Sequence, residues 1–167
     1  MMIAVIGGDA PPQAALPLAE DAGREIARRG HVLVCGGRGG VMEAACRGAR
    51  EAGGHTIGIL SGPDRSDANA YVEFPIVTNL GYARNAVVAL TADALIAIDG
   101  SYGTLSEIAL ALVHGKPVVG LGTWRVSDAA RVEDRGIMHV HDPVEAVERA
   151  IEAARGASTG SARGARA

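Results

Sequence analysis

A glutamate that follows a glycine-rich turn suggests chemistry on a phosphorylated ligand. The turn reads Gly100-Ser101-Tyr102-Gly103-Thr104, and Glu107 lies three residues beyond its end. A turn without bulky side chains lets a phosphate approach the backbone, and the positive end of a following helix dipole attracts its charge. A carboxylate beside a ribose could stabilise positive charge that develops there, or it could activate a water molecule.

The same residues also fit a structural role. The stretch Thr104-Leu105-Ser106-Glu107 matches the S/T-x-x-E capping box, in which the glutamate accepts a hydrogen bond from the amide that begins the helix. The helical period places Leu105, Ile108, Ala109 and Leu112 on one apolar face, which leaves Thr104 and Glu107 together off that face. The sequence therefore leaves catalysis and helix capping open for Glu107.

Two further glycine-rich turns follow apolar runs. One follows Ile3–Ile6, and the other, a GGRGG loop, follows His31–Cys35. Glycine also serves tight turns for steric reasons, so each turn alone has a structural explanation. Because the carboxyl ends of parallel strands meet at one edge of a sheet, we expect the turns to converge on one ligand. We predict phosphate or nucleotide contacts from Gly7, Gly8, Gly36, Gly37, Gly39, Gly40, Gly100, Ser101, Tyr102, Gly103 and Thr104.

Arg84 is the second residue for which we predict a catalytic role. Its forked donors suit a phosphate or carboxylate, and a predicted helix start places it near the strand ends, although a solvated helix position is the alternative. Asp99 could act as a second carboxylate, hold the loop or simply end the strand. Asn79 and Tyr82 could line the same pocket, while turn formation alone explains the asparagine.

The elements that must position these residues alternate along the chain. Apolar runs predict strands over Ile3–Ile6, His31–Cys35, Thr56–Leu60, Ile76–Thr78, Ala94–Ile98 and Pro117–Leu121. Helical spacing between them predicts helices over Leu16–Ala27, Val41–Glu51, Tyr82–Ala92 and Thr104–His114. The pattern predicts a single-domain, Rossmann-like α/β fold, with a doubly wound parallel sheet and helices on both faces.

The end of the chain divides it into a domain and a tail. Asp142-Pro143-Val144-Glu145 combines an N-cap, a proline at the first helical position and an acidic third residue, which predicts a helix from Pro143 to about Arg155. We therefore predict a nucleotide-binding domain over residues 1–155 and a disordered tail over residues 156–167. The loop SGPDRSDANAY, after the third strand, could set ligand selectivity.

Composition excludes several classes of function. The net charge of −3, with mixed signs, argues against a nucleic-acid polymer as partner. No apolar stretch reaches the roughly 18 residues of a membrane span, and the chain start lacks a signal-peptide pattern, so we expect a cytoplasmic protein without membrane contact. Cys35 and Cys46 lack zinc-site spacing, and His139 and His141 lack a third ligand, so we predict no metal site.

The motifs together closely resemble the Lonely Guy (LOG) superfamily, nearest to the branch that includes molybdenum-cofactor carrier proteins. The resemblance rests on Gly36–Met42, Arg84-Asn85, Gly100–Glu107 and LALVHGKPVVGL, and it covers roughly residues 2–122. Neither GxGxxG nor GxxxxGK[ST] is present, which argues against NAD-type and P-loop binding. LOG enzymes are phosphoribohydrolases that cleave a nucleoside 5′-monophosphate into free base and ribose 5-phosphate.

The resemblance implies a role for each matching residue. Gly103 and Thr104 would bind phosphate, Arg84 would contact the substrate, and Glu107 would be the catalytic carboxylate. It also implies a homodimer through the helices flanking the Arg84 segment, and a reaction that requires no cofactor.

The chain departs from the enzymes at three positions. Asp99 stands where they have proline, Ser101 replaces a glycine, and Asn85 stands where they usually have lysine. Two functions therefore stay open. The leading one is hydrolysis of a nucleoside 5′-monophosphate, and the alternative is non-catalytic binding or carriage of molybdenum cofactor or another phosphorylated, nucleotide-like ligand. Both need a small phosphorylated partner and an anion site.

Overall fold

Seven strands and five α-helices form the fold in the part of the chain that the structure describes. A computed structural model describes residues 1–127 and 136–164 of the chain. The strands are β1 (Met2–Gly7), β2 (Val32–Cys35), β3 (Thr56–Leu60), β4 (Phe74–Val77), β5 (Ala94–Ile98), β6 (Val118–Leu121) and β7 (Ile137–Val140). The helices are α1 (Ala15–Arg28), α2 (Val41–Glu51), α3 (Arg84–Thr91), α4 (Tyr102–Val113) and α5 (Pro143–Gly164).

All strand pairs of the sheet are parallel, in the order β4-β3-β2-β1-β5-β6-β7. The chain builds outward from β1 to β4, then returns to the other side of β1 with β5. The strand order therefore reverses between β1 and β5, where Gly7 pairs with Ile98. In open α/β sheets the crevice beyond such a reversal is the usual ligand site. The predicted Rossmann-like, doubly wound α/β fold is confirmed.

Helices cover both faces of the sheet, which explains why the strands are continuous apolar runs. Along β1, Ile3 and Val5 pack into a core with α1, α2 and α5, whereas Ala4 and Ile6 pack into a core with α3 and α4. All four side chains are almost completely buried. The strands thus form a rigid support for the loops at their carboxyl ends.

The structure differs from the sequence-based expectations near the end of the chain. Helix α5 does not stop near Arg155 but continues to Gly164. Its start is as expected, because Asp142 Oδ1 accepts hydrogen bonds from the amides of Val144 and Glu145. No proline interrupts the following residues, and extending an existing helix adds one hydrogen bond per residue without a new nucleation cost.

A seventh strand, β7, adds to the six apolar runs predicted as strands and contains His139, whose spacing from His141 is that of a strand. It pairs with β6 at one side of the sheet.

In the part of the chain that the structure describes, no helix combines the length and apolar character needed to cross a bilayer. Cys35 and Cys46 lie buried between β2 and α2, with their Sγ atoms 3.5 Å apart and no disulfide between them.

Helices α1 and α2 pack backbone against backbone at two glycines. A Cβ at Gly23 would overlap the carbonyl group of Ala45, and a Cβ at Gly48 would overlap the carbonyl oxygen of Glu20. Small residues here let the helices approach closely, and α2 carries the loop before it to the edge of the ligand crevice.

We therefore expect Gly23→Ala to destabilise the protein. The added methyl group overpacks the contact at a cost of about 1–3 kcal/mol, more than the roughly 1 kcal/mol by which alanine favours a helix. Gly156→Ala in α5 is the matched control, because nothing lies within 4 Å of the position its Cβ would take. Chemical denaturation would measure the free energy of unfolding of both variants. A free energy of unfolding for Gly23→Ala equal to or higher than that of the unmodified protein would contradict the close packing.

Candidate active site

One large cavity opens at the carboxyl ends of β1 and β5. Its volume is about 910 Å³, in the range of ligand sites for small molecules. Its lining comes from the loops after β1, β2, β3, β4 and β5 and from the start of α2, α3 and α4. The residues are Gly7, Gly8, Asp9, Ala10, Arg38, Met42, Ser61, Gly81, Tyr82, Arg84, Asn85, Asp99, Gly100, Ser101, Tyr102, Gly103, Thr104, Ser106 and Glu107.

The amino end of α4 forms one wall of this cavity. Gly100 adopts a φ of 108°, which favours glycine, and Ser101 is the extended N-cap whose side chain makes no capping hydrogen bond. The amides of the first helical turn, at Tyr102, Gly103 and Thr104, lack partners within the helix. The space that a Cβ would take at Gly103 is open. This turn therefore offers free N–H groups and a helix dipole to an anion.

Arg84 and Glu107 lie together beside this turn. Arg84 is the first residue of α3 and is 8% exposed, and Glu107 on α4 is 7% exposed. Arg84 Nη1 lies 3.8 Å from Glu107 Oε1, a charge contact too long for a hydrogen bond. The Nε of Arg84 is buried and has no hydrogen-bond partner among the described residues. The pair therefore keeps donors available for a ligand.

The surroundings of Glu107 favour the neutral, protonated form of its carboxyl group. Burial raises the pKa of Glu107 to about 7, because removal from water disfavours the charged form. The Arg84 guanidinium opposes this rise in pKa, whereas the Asp9 carboxylate adds to it. Near neutral pH, Glu107 can thus exchange a proton, which suits a general acid or base.

The capping-box interpretation of Glu107 is wrong. Helix α4 begins at Tyr102, so Thr104 is its third residue and Glu107 lies beyond the first turn. The positive φ of Gly100 turns the chain sharply enough for the helix to begin before Thr104. A carboxylate at this depth in the helix cannot reach the N-cap amide, and Glu107 faces the cavity instead.

The GGRGG loop is positioned differently from the expectation. Gly36, Gly37, Gly39 and Gly40 do not line the cavity, whereas their neighbour Arg38 does. A Cβ at Gly36 would overlap the Arg84 guanidinium, and one at Gly40 would overlap the carbonyl oxygen of Gly8. These glycines let the loop pack tightly behind the cavity wall. The other predicted contact residues, Gly7, Gly8 and Gly100–Thr104, all line the cavity.

Among the polar residues of the cavity, sequence-based reasoning missed Asp9 and considered Asp99 and Tyr82. Asp9 lies two residues after β1 and Ser61 directly after β3, so the position of each polar residue after a strand end was a signal that could have identified it. Asp99 lies on the cavity wall with a φ of 49°, a conformation that aspartate tolerates better than most residues. Tyr82 lines the cavity, but Asn79 does not.

Asn85 ties the two helices of the site together. Its Nδ2 donates to Ser106 Oγ at 2.8 Å, and Ser106 Oγ donates to the carbonyl oxygen of Gly103 at 2.7 Å. The residue at the position where LOG enzymes usually have lysine therefore fixes the first turn of α4 relative to α3. This network keeps Arg84 and the free amides of α4 in one arrangement.

Comparison with known proteins assigns this chain to a family. The chain is 33% identical over 134 residues to the cytokinin riboside 5′-monophosphate phosphoribohydrolase of Mycobacterium tuberculosis, which covers 74% of this chain and 71% of the relative. The molybdenum cofactor binding protein of Rippkaea orientalis has a TM-score of 0.79 and 37% identity, over 93% of this chain and 95% of that one.

A second solved structure gives a similar result. The molybdenum cofactor carrier protein of Chlamydomonas reinhardtii has a TM-score of 0.80 and 37% identity, over 91% of this chain and 96% of that one. The family model described as the SLOG cluster4 family matches residues 1–148. Because this match spans most of the chain, the protein belongs to the SLOG cluster4 family.

Proposed function

We propose that the protein hydrolyses the N-glycosidic bond of a nucleoside 5′-monophosphate, releasing the free base and ribose 5-phosphate. The observation that carries this proposal is the buried Arg84–Glu107 pair beside the uncapped first turn of α4, in one cavity. The relationship to a named phosphoribohydrolase at 33% identity supports it.

The geometry suggests which residues would bind the substrate and which would take part in the reaction. The free amides of Gly103 and Thr104 and the Arg84 guanidinium would hold the 5′-phosphate. Glu107 would then lie beside the ribose, where its carboxylate stabilises the positive charge that develops as the bond to the base lengthens. A water oxygen bonds to C1′ and gives a proton to the carboxylate, while the electrons of the broken C–N bond leave with the base. The base then takes up a proton and Glu107 loses the one it accepted, which restores the carboxylate.

Carriage of molybdenum cofactor is the second candidate. It is favoured by the two molybdenum cofactor proteins at 37% identity, which match more than 90% of both chains. The same anion site would hold the phosphate of that ligand. A neutral Glu107 would then donate a hydrogen bond, and no bond of the ligand would break.

We expect Glu107→Gln to lower kcat for base release by about 10²–10⁴-fold, because the amide can neither accept a proton nor carry negative charge. Chromatography of the base released from a panel of nucleoside 5′-monophosphates would measure this. Glu152→Gln is the matched control, since Glu152 lies on α5 with an exposed side chain.

A thermal melt of Glu107→Gln close to that of the unmodified protein would assign the lost activity to chemistry and not to unfolding. If the unmodified protein releases no base from any nucleotide, yet nucleotides raise its melting temperature, the hydrolase proposal fails and the carrier proposal stands.

The pKa of Glu107 predicts the pH dependence of hydrolysis. Burial raises this pKa to about 7, so the carboxylate form that the mechanism needs is lost as the pH falls below that value. We expect kcat/KM to fall about tenfold per pH unit below pH 7 and to level off above it. The substrate phosphate also ionises, near pH 6, and this changes nucleotide binding over the same pH range. The Kd of a nucleotide for Glu107→Gln, measured at each pH, gives the size of that binding effect, which is then removed from the kcat/KM profile. A corrected profile that stays flat below pH 7 would contradict the role of Glu107.

We also propose a homodimer, which the family resemblance implies through the helices flanking the Arg84 segment, and we assign its interface to α3 and α4. Leu90 on α3 and Val113 on α4 support it, since they are 45% and 81% exposed. Sedimentation should give a dimer, and Leu90→Lys should shift it toward monomer. Val144→Lys, at an exposed apolar position of α5, should leave the dimer intact. A strict monomer for the unmodified chain would end this proposal.

A further inference from the structure

A smaller cavity of about 210 Å³ adjoins the main one. Its lining comes from the loops after β2 and β3 and consists of Arg38, Leu60, Ser61, Gly62 and Asp67. Arg38 and Ser61 also line the main cavity, so the two spaces meet at these residues. The smaller space is of a size for a flat heterocycle, and it lies within the loop that could set selectivity.

The walls of this smaller cavity are fixed by hydrogen bonds to neighbouring loops. The carbonyl oxygens of Ser61 and Gly62 accept from the amides of Gly81 and Asn79, at 3.0 and 3.2 Å. Across the cavity, Asn69 Nδ2 donates to the carbonyl oxygen of Arg38 at 2.8 Å. The backbone around the cavity is therefore held in place before a ligand arrives.

The two charged side chains of the smaller cavity are available to a ligand. Arg38 Nε lies 3.4 Å from Asp9 Oδ2, and the Nη groups of Arg38 donate no hydrogen bond to any residue within 1–127 and 136–164. The Asp67 carboxylate likewise makes no hydrogen bond or ion pair with any described residue, and its side chain is exposed. One cavity thus presents free N–H donors beside a free carboxylate acceptor.

A ring that satisfies both groups must carry a carbonyl oxygen next to two N–H donors. The 2-amino-4-oxopyrimidine ring has this pattern, and it occurs in both guanine and pterins. A carboxylate can accept hydrogen bonds from the ring N–H and the amino group of this ring, while an arginine donates a hydrogen bond to the ring's carbonyl oxygen. Adenine presents an amino donor where guanine has the carbonyl, and so faces the arginine with the wrong group.

We propose that Arg38 and Asp67 select a ligand whose ring is a 2-amino-4-oxopyrimidine. The inference rests on the proposed phosphate site at α4, which would hold the other end of the same ligand. A guanine nucleotide and a phosphorylated pterin share this ring, so both proposed functions are compatible with it.

Calorimetric titration of the Glu107→Gln chain tests the selection without turnover. The ligands are GMP and AMP, which differ only in the ring, and 6-hydroxymethylpterin phosphate, which carries the phosphate without a ribose. We expect GMP to bind about tenfold more tightly than AMP, a modest factor because Asp67 is exposed. Asp67→Asn should remove this advantage and leave the Kd of AMP unchanged. Asp64→Asn makes the same change of charge on the same loop outside both cavities, and should alter neither Kd.

The outcomes separate this inference from the proposed function. Equal Kd values for GMP and AMP, or an equal loss of both in Asp67→Asn, would overturn the selection and leave the phosphate site standing. If no phosphorylated ligand binds, the phosphate site fails and the selection with it. A preference for GMP without base release from the unmodified chain would sustain the selection and reject hydrolysis. Tighter binding of the pterin phosphate than of GMP, despite its missing ribose, would favour a pterin as the source of the ring, and the reverse order would favour a guanine nucleotide.

Discussion

The site depends on the burial of two opposite charges at the reversal point of the sheet. Arg84 and Glu107 are both nearly excluded from water, which is costly for an isolated charge and acceptable only because each faces the other. Their separation of 3.8 Å leaves this compensation incomplete, and the raised pKa of Glu107 reflects that. The absence of a side chain at Gly36 provides the space that the Arg84 guanidinium occupies.

A phosphate at the start of α4 changes this balance. Its negative charge would attract Arg84 and repel the Glu107 carboxylate, which raises the pKa of Glu107 further and favours its neutral form. Hydrolysis needs the carboxylate form of Glu107. The positive charge that develops on the ribose during the reaction must therefore offset the rise in the pKa of Glu107 that the phosphate causes. A ligand without a glycosidic bond develops no such charge, and it would be bound and released unchanged. The two proposed functions can thus use one site, and the chemistry of the ligand separates them.

Sequence patterns predicted the sheet well because its energetics are local to each strand. Residues such as Ile3–Ile6 are buried on both faces, so every position is apolar and the run is easy to recognise. The roles of Gly36 and Gly40 could not be predicted in this way. Each of these glycines is required by an atom distant in sequence, the Arg84 guanidinium or the Gly8 carbonyl oxygen. The start of α4 was missed because it depends on the backbone conformation of Gly100.

The arrangement separates the buried chemistry from the exposed recognition of the ring. Arg84 and Glu107 are buried and are held by the packing of α3 and α4 on the sheet, so a replacement keeps the packing only if it has the same size and shape, as Glu107→Gln does. Arg38 and Asp67 lie on surface loops after β2 and β3, where a substitution removes no core contact. Exposed charges of this kind resemble solvated surface residues in a sequence, and only the parallel sheet brings them to one cavity. The fold can therefore change which ring it accepts at little cost in stability, while the phosphate site stays constant.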